Sequence, residues 1–157
     1  MARQLRPVGL EFADTAPLRL SFTADLGVPR ERVFVALSEE LEGWPRWFTA
    51  VSEVTPVEGG KGRHVRLKGG GFFTETVLAS LPAERYTYRI DRTNAPGMRA
   101  MMEDWNLTVA PSGGARVRWT IAVDGPRTLR TLMRLSRAGL GASFGDAMRK
   151  LDLGLRP

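Results

Sequence analysis

The chain has no cysteine and a single histidine, His64, among its 157 residues. Without cysteine there are no disulfides and no thiolate metal ligands, and one imidazole does not build a histidine-based metal site. No metal and no cofactor is expected. With no second histidine and no obvious serine partner, His64 forms no nucleophilic triad. Long hydrophobic runs are also lacking, since nothing approaches the roughly 20 apolar residues that cross a bilayer as a helix. Residues 1–17 alternate charged and apolar side chains and have no signal-peptide stretch, so a cytoplasmic location is the default expectation.

What remains is an ordinary globular composition, 43% hydrophobic and 25% charged, in a length that fits one domain. The net charge of +6 is unevenly placed. Residues 125–157 hold seven Lys or Arg against Asp146 and Asp152. Arg127, Arg130, Arg134 and Arg137 follow helical spacing and share one face. That face is either solvated or drawn to an anionic membrane surface; nucleic acid is not expected as a partner.

Apolar residues alternate along 18–26, 51–57, 62–68, 72–80, 84–92, 101–110 and 115–123, which predicts seven strands. Their connections are glycine- and proline-rich and short, as in a meander of hairpins. Two short helices are predicted after the first strand, over 30–38 and 41–48. One long amphipathic helix is predicted over 126–153, with Gly139 and Gly141 marking a bend or a close contact. The fold class is therefore α+β: a seven-stranded antiparallel sheet and a long C-terminal helix, in one domain over 18–153. Residues 1–17 read as an extension and 154–157 as a tail.

Three stretches carry a resemblance. The Val33-Phe34 helix leads into Trp44-Pro45-Arg46-Trp47-Phe48; Glu84-Arg85-Tyr86-Thr87-Tyr88 follows Leu81-Pro82; Gly114-Ala115-Arg116-Val117-Arg118-Trp119 opens the last strand. Together with the element order, they resemble the START/polyketide-cyclase superfamily (SRPBCC), whose pollen-allergen-like helix-grip fold wraps the sheet around the long helix. The resemblance implies a cavity for lipids, hormones, quinones or polyketides, and in some members cyclisation or dehydration. It also implies a mouth formed by the loops at 69–71, 93–98 and 124–126.

Strand parity predicts the inner face. A turn at 94–97 sets Tyr86 opposite Trp105, Tyr88 opposite Glu103 and Ile90 opposite Met101. A turn at 111–114 sets Trp105 opposite Trp119, and one at 81–84 sets Glu75 opposite Tyr88. Glu75, Tyr88 and Glu103 become the candidate catalytic or orienting groups, because a carboxyl in an apolar pocket has its pKa raised toward neutrality. Ligand-lining candidates are Trp47, Phe48 and Phe73, the aromatic row Tyr86, Trp105 and Trp119, the adaptable Met98, Met101 and Met133, and Leu140 on the long helix. Phe144 and Met148 belong to the core, His64 points to solvent, and 58–62 is a hairpin turn without the following helix that a phosphate loop needs. Three functions fit. The first is a container for an apolar small molecule, with Tyr88, Glu75 or Arg66 orienting its polar end. The second is a cyclase, aromatase or dehydratase using Glu75 and Tyr88. The third is a membrane-binding module acting through the arginine face. The oligomeric state is not legible.

Overall fold

Period-two patterning and tight turns give a continuous antiparallel sheet in the computed structural model, which describes residues 1–157. All seven expected strands are present: β2 (Leu18–Leu26), β3 (Val51–Val57), β4 (Gly62–Leu67), β5 (Phe72–Leu81), β6 (Arg85–Thr93), β7 (Ala100–Val109) and β8 (Ala115–Asp124). Their order across the sheet is β2-β8-β7-β6-β5-β4-β3. An eighth strand, β1 (Arg3–Gln4), was not expected. It pairs Arg3 with Thr93 and Gln4 with Arg92 on β6.

Pairing of β6 with β7 ends at Arg89↔Met102, so the expected Ile90–Met101 pair does not form. The N-terminal segment takes over that end. Leu5 N–H donates to the Asp91 carbonyl and Arg6 N–H to the Arg99 carbonyl, bridging the two strands. The helical turn α1 (Phe12–Thr15) then lays Phe12 and Ala13, with Val8, against Ala100, Met102 and Ala122 on the outer face of the sheet. Residues 1–17 are thus packed onto the domain, covering apolar side chains whose parity points away from the main core.

The two short helices are α2 (Arg30–Ser38) and α3 (Trp44–Trp47), the latter entered through a 3-10 turn at Leu41–Gly43. Pro29 precedes α2 with extended backbone angles, and Pro45 sits in the first turn of α3, where its missing N–H costs nothing. The long helix is divided at Ser136 into α4 (Arg127–Leu135) and α5 (Arg137–Leu155). The Ser136 hydroxyl and N–H both donate to the Leu132 carbonyl, closing α4 there. Of the two glycines expected to mark a bend or a close contact, only Gly141 does so: a Cβ there would lie 3.3 Å from the Phe22 ring, whereas one on Gly139 would meet nothing within 4 Å.

Helix α5 buries Phe144, Ala147, Met148 and Leu151 against the inner face. There Trp105 and Trp119 stack at 5.4 Å between centroids, with Phe144 stacked on Trp119 at 5.7 Å. Trp44 meets Trp105 edge-on at 5.7 Å. Such pairings each add about 0.5–1.5 kcal/mol beyond area burial. They make a rigid floor for whatever space remains.

Candidate functional site

That space is a cavity of about 220 Å³ between the inner face of the sheet and the α4–α5 junction. Its apolar wall includes Phe48, Val65, Leu67, Phe73, Met101, Ile121, Met133 and Leu140. Trp44 and Trp119 also line it, as do Arg63, Glu75, Tyr88 and Glu103. Leu67, Phe73, Met133 and Leu140 are only partly buried, which places the approach to the cavity among β4, β5 and the helix junction. The three loops expected at a mouth do meet. The Asn94 side chain donates to the Gly70 carbonyl and accepts from Phe72 N–H, while Gly97 lies against Pro126 and Leu129.

The sequence-predicted residues divide into two groups. Phe48, Phe73, Met101, Trp119, Met133 and Leu140 line the cavity together with Glu75, Tyr88 and Glu103. Trp47, Tyr86, Met98 and Trp105 do not; they are buried in the surrounding core. The predicted pairs Tyr86–Trp105, Tyr88–Glu103 and Trp105–Trp119 are all formed. Glu75 does not face Tyr88. It pairs with Ile90, and Val77 takes Tyr88, because the hairpin closes at Leu81↔Arg85, whereas Glu75 opposite Tyr88 would set Leu81 against Pro82. The register shifts between Thr74 and Glu75 and between Val77 and Ala79 move the pairing by one residue only.

Arg63 is the residue that sequence reading missed. It is 1% exposed and forms a buried ion pair with Glu75, itself 2% exposed, through an Nε–H to carboxylate hydrogen bond. Its guanidinium carbon sits 4.4 Å from the Trp44 ring centroid and 4.0 Å from that of Tyr88. The signal was present, since Arg63 shares strand parity with Val65 and Leu67. Arg66, expected to orient a ligand, has the opposite parity. It lies exposed on the solvent side, 3.4 Å from Glu53.

Around this cation the polar groups form a chain. Trp119 Nε1–H donates to Glu103 Oε1 at 2.8 Å, and Trp105 Nε1–H donates to the Tyr88 hydroxyl at 3.2 Å. Burial lifts the Glu75 carboxyl to about 7 against the pull of Arg63, with Glu103 pushing it further up. Burial likewise raises Glu103, opposed by Arg63 and by the Trp119 hydrogen bond. Burial and the neighbouring Glu103 raise Tyr88 well above the usual phenol range. Arg63 stays charged: burial opposes its charge, but Glu75, Tyr88 and Tyr86 together outweigh that burial. One fixed cation therefore faces two carboxyls, one of which exchanges its proton near neutral pH. The set can orient a polar ligand end or pass a proton. No cluster of three or more His, Asp or Glu side chains suited to a metal is present.

A larger hollow of about 830 Å³ lies over the outer face of β4 and β5, beside the 58–62 turn. It is walled by side chains such as Lys61, His64, Thr74 and Asp91, and it is open to solvent. His64 is exposed, as its parity predicts.

Residues 17–153 match the model of a family described as polyketide cyclase / dehydrase and lipid transport. An uncharacterized protein of Mycobacterium tuberculosis and one of Mycobacterium bovis are each 33% identical over 120 residues, covering 73% of this chain and 71% of theirs. Among solved structures, a START superfamily protein from Mycobacterium smegmatis aligns with a TM-score of 0.65 at 10% identity, covering 85% of this chain and 98% of that one. Major latex-like protein 151 from Panax ginseng aligns with a TM-score of 0.69 at 10% identity, covering 89% and 98%.

Proposed function

Because the chain belongs to the polyketide cyclase / dehydrase and lipid transport family, with its helix-grip fold, we propose that it encloses an apolar small molecule in the internal cavity. The observation that carries this reading is the 220 Å³ space with its mostly apolar wall and buried charged cluster. It exceeds the roughly 150 Å³ that admits benzene in an engineered apolar cavity, and falls short of the roughly 300 Å³ where drug-sized pockets begin. The occupant in this state is a compound of one or two rings or a short chain. A thermal-shift screen against small apolar compounds tests the reading. A true ligand at a hundredfold excess over its Kd stabilises the fold by about 2.7 kcal/mol. That shift should disappear in Leu140→Trp, which fills the space; the absence of a shift with every compound would overturn the reading.

A second reading, attachment to an anionic membrane surface, is favoured by α4. None of its residues is buried, and Leu132 and Leu135 are 61% and 78% exposed on one flank. Arg127 and Arg134 are exposed on another flank. The four arginines are not equivalent, however: Arg137 packs over the Phe22 ring at 5.0 Å and donates to the Ser21 carbonyl, and Arg130 is half-buried. Met133 of the same helix lines the cavity, so a bilayer holding α4 would act on the cavity's cover. Sedimentation with phosphatidylserine-containing vesicles should show binding that weakens with salt and falls in Leu132→Ser/Leu135→Ser and in Arg127→Gln/Arg134→Gln. Equal binding to neutral vesicles, or none to either, would remove it.

A further inference from the structure

Arg63 does not use all of its hydrogen-bonding capacity. Its Nε–H is taken by Glu75, while Nη1 is buried and has no partner. The Trp44 and Tyr88 rings lie close to the guanidinium carbon and limit access to its faces, leaving the donor edge as the part that can bond. An arginine cannot relieve an unmet donor by losing its proton. A buried donor left open is costly, and a charge-assisted bond to it is correspondingly strong. Arg63 is part of the cavity wall, and although Nη1 itself presents almost no surface there, a small turn of the guanidinium would bring it to an acceptor on the cavity's occupant.

The charge balance narrows the acceptor further. Glu75 and Glu103 line the same cavity as Arg63; Glu75 is bonded to the guanidinium, and Glu103 is within reach of its charge. A carboxylate or phenolate on the ligand would be a third acid competing for one cation in a desolvated space. A neutral carbonyl oxygen meets the open donor without adding charge. We propose that the cavity selects neutral one- or two-ring compounds bearing a carbonyl, with that oxygen accepting from Arg63 Nη1–H. The inference rests on the container reading and specifies its ligand.

Three probes with one ring frame test it: tetralin, 1-tetralone and tetralin-1-carboxylate, titrated at pH 7.5 by calorimetry and by quenching of tryptophan fluorescence, to which Trp44 and Trp119 in the wall contribute. The expected result is that 1-tetralone binds at least about tenfold tighter than tetralin, with the carboxylate weakest. In Arg63→Met/Glu75→Met the ketone and the hydrocarbon should bind alike. The comparison in the native protein stands even if that variant fails to fold. Equal affinity of ketone and hydrocarbon in the native protein would overturn the inference while leaving the container intact, since Nη1 would then stay closed to the occupant. Tightest binding by the carboxylate would overturn it in favour of an anion. If none of the three binds and the thermal-shift screen is also blank, the container reading falls and this inference with it.

Discussion

Replacing Arg63 by leucine is expected to lower folding stability by about 3–5 kcal/mol, while replacing Arg63 and Glu75 together by leucine costs far less. The asymmetry follows from burial. The single variant leaves the Glu75 carboxyl in a 2%-exposed site with its cation gone, and the Trp44 and Tyr88 rings lose the charge packed against them. The double variant removes both desolvation costs and substitutes apolar volume in a region that is already apolar. Urea denaturation of the two singles and the double closes the cycle. Simple additivity would mean that the pair is not coupled in the folded state. The loss in Arg63→Leu should also be larger at pH 8 than at pH 5, because without the guanidinium Glu75 is still harder to ionise.

The second large effect is the pH dependence of the native protein. Glu75 has a folded-state pKa of about 7 against an ordinary value of 4.5. Below pH 4.5 it is protonated in both folded and unfolded chains and contributes no difference. Between pH 4.5 and 7 the unfolded chain has lost the proton that the folded one retains, so stability declines as pH rises. The decline from this residue amounts to about 3 kcal/mol and levels off above pH 7. Glu103, also raised by burial, acts in the same direction. Glu75→Gln should flatten the profile and resemble the native protein at pH 5. A native profile that rises through this window, or a Gln variant that keeps the slope, would contradict the assignment. Asp25 and Asp146, whose carboxyls are held low by Arg116 and Lys150, act only below the ordinary aspartate range and with the opposite sign.

The parts of the site that sequence made legible are those governed by unbroken alternation. Tyr86, Trp105 and Trp119 fall in one row, and Tyr88 meets Glu103, because β6, β7 and β8 pair there without an irregularity. Glu75 falls on the expected face but against another neighbour, because apolar alternation fixes the face and not the register: a hairpin closing at Leu81↔Arg85 brings Ile90, of the same parity as Tyr88, to Glu75. Arg63 was overlooked for a different reason. Reading strands by their apolar residues makes a charged residue at an inward position look like an exception, although its parity with Val65 and Leu67 was available. Trp47 and Trp105 could not be sorted into lining or core, since aromatic residues serve both and only packing against Trp44 and Phe144 decides. The β1 pairing depends on two residues meeting a strand about ninety positions away, and so short a segment carries no period.

The sheet order also bears on how the chain is made. β2 is made well before β8, its partner in the sheet, and Leu18 pairs with Val123 more than a hundred residues later. That pairing closes the longest loop in the sheet and bears the largest entropic cost of closure. The hairpins from β3 to β7 can form as they emerge. Until β8 arrives, β2 has no partner and β7 presents a bare edge, the kind of surface that recruits other chains. A chain truncated just short of Ala115 would therefore hold most of its hairpins and still leave β2 and the edge of β7 open to other chains.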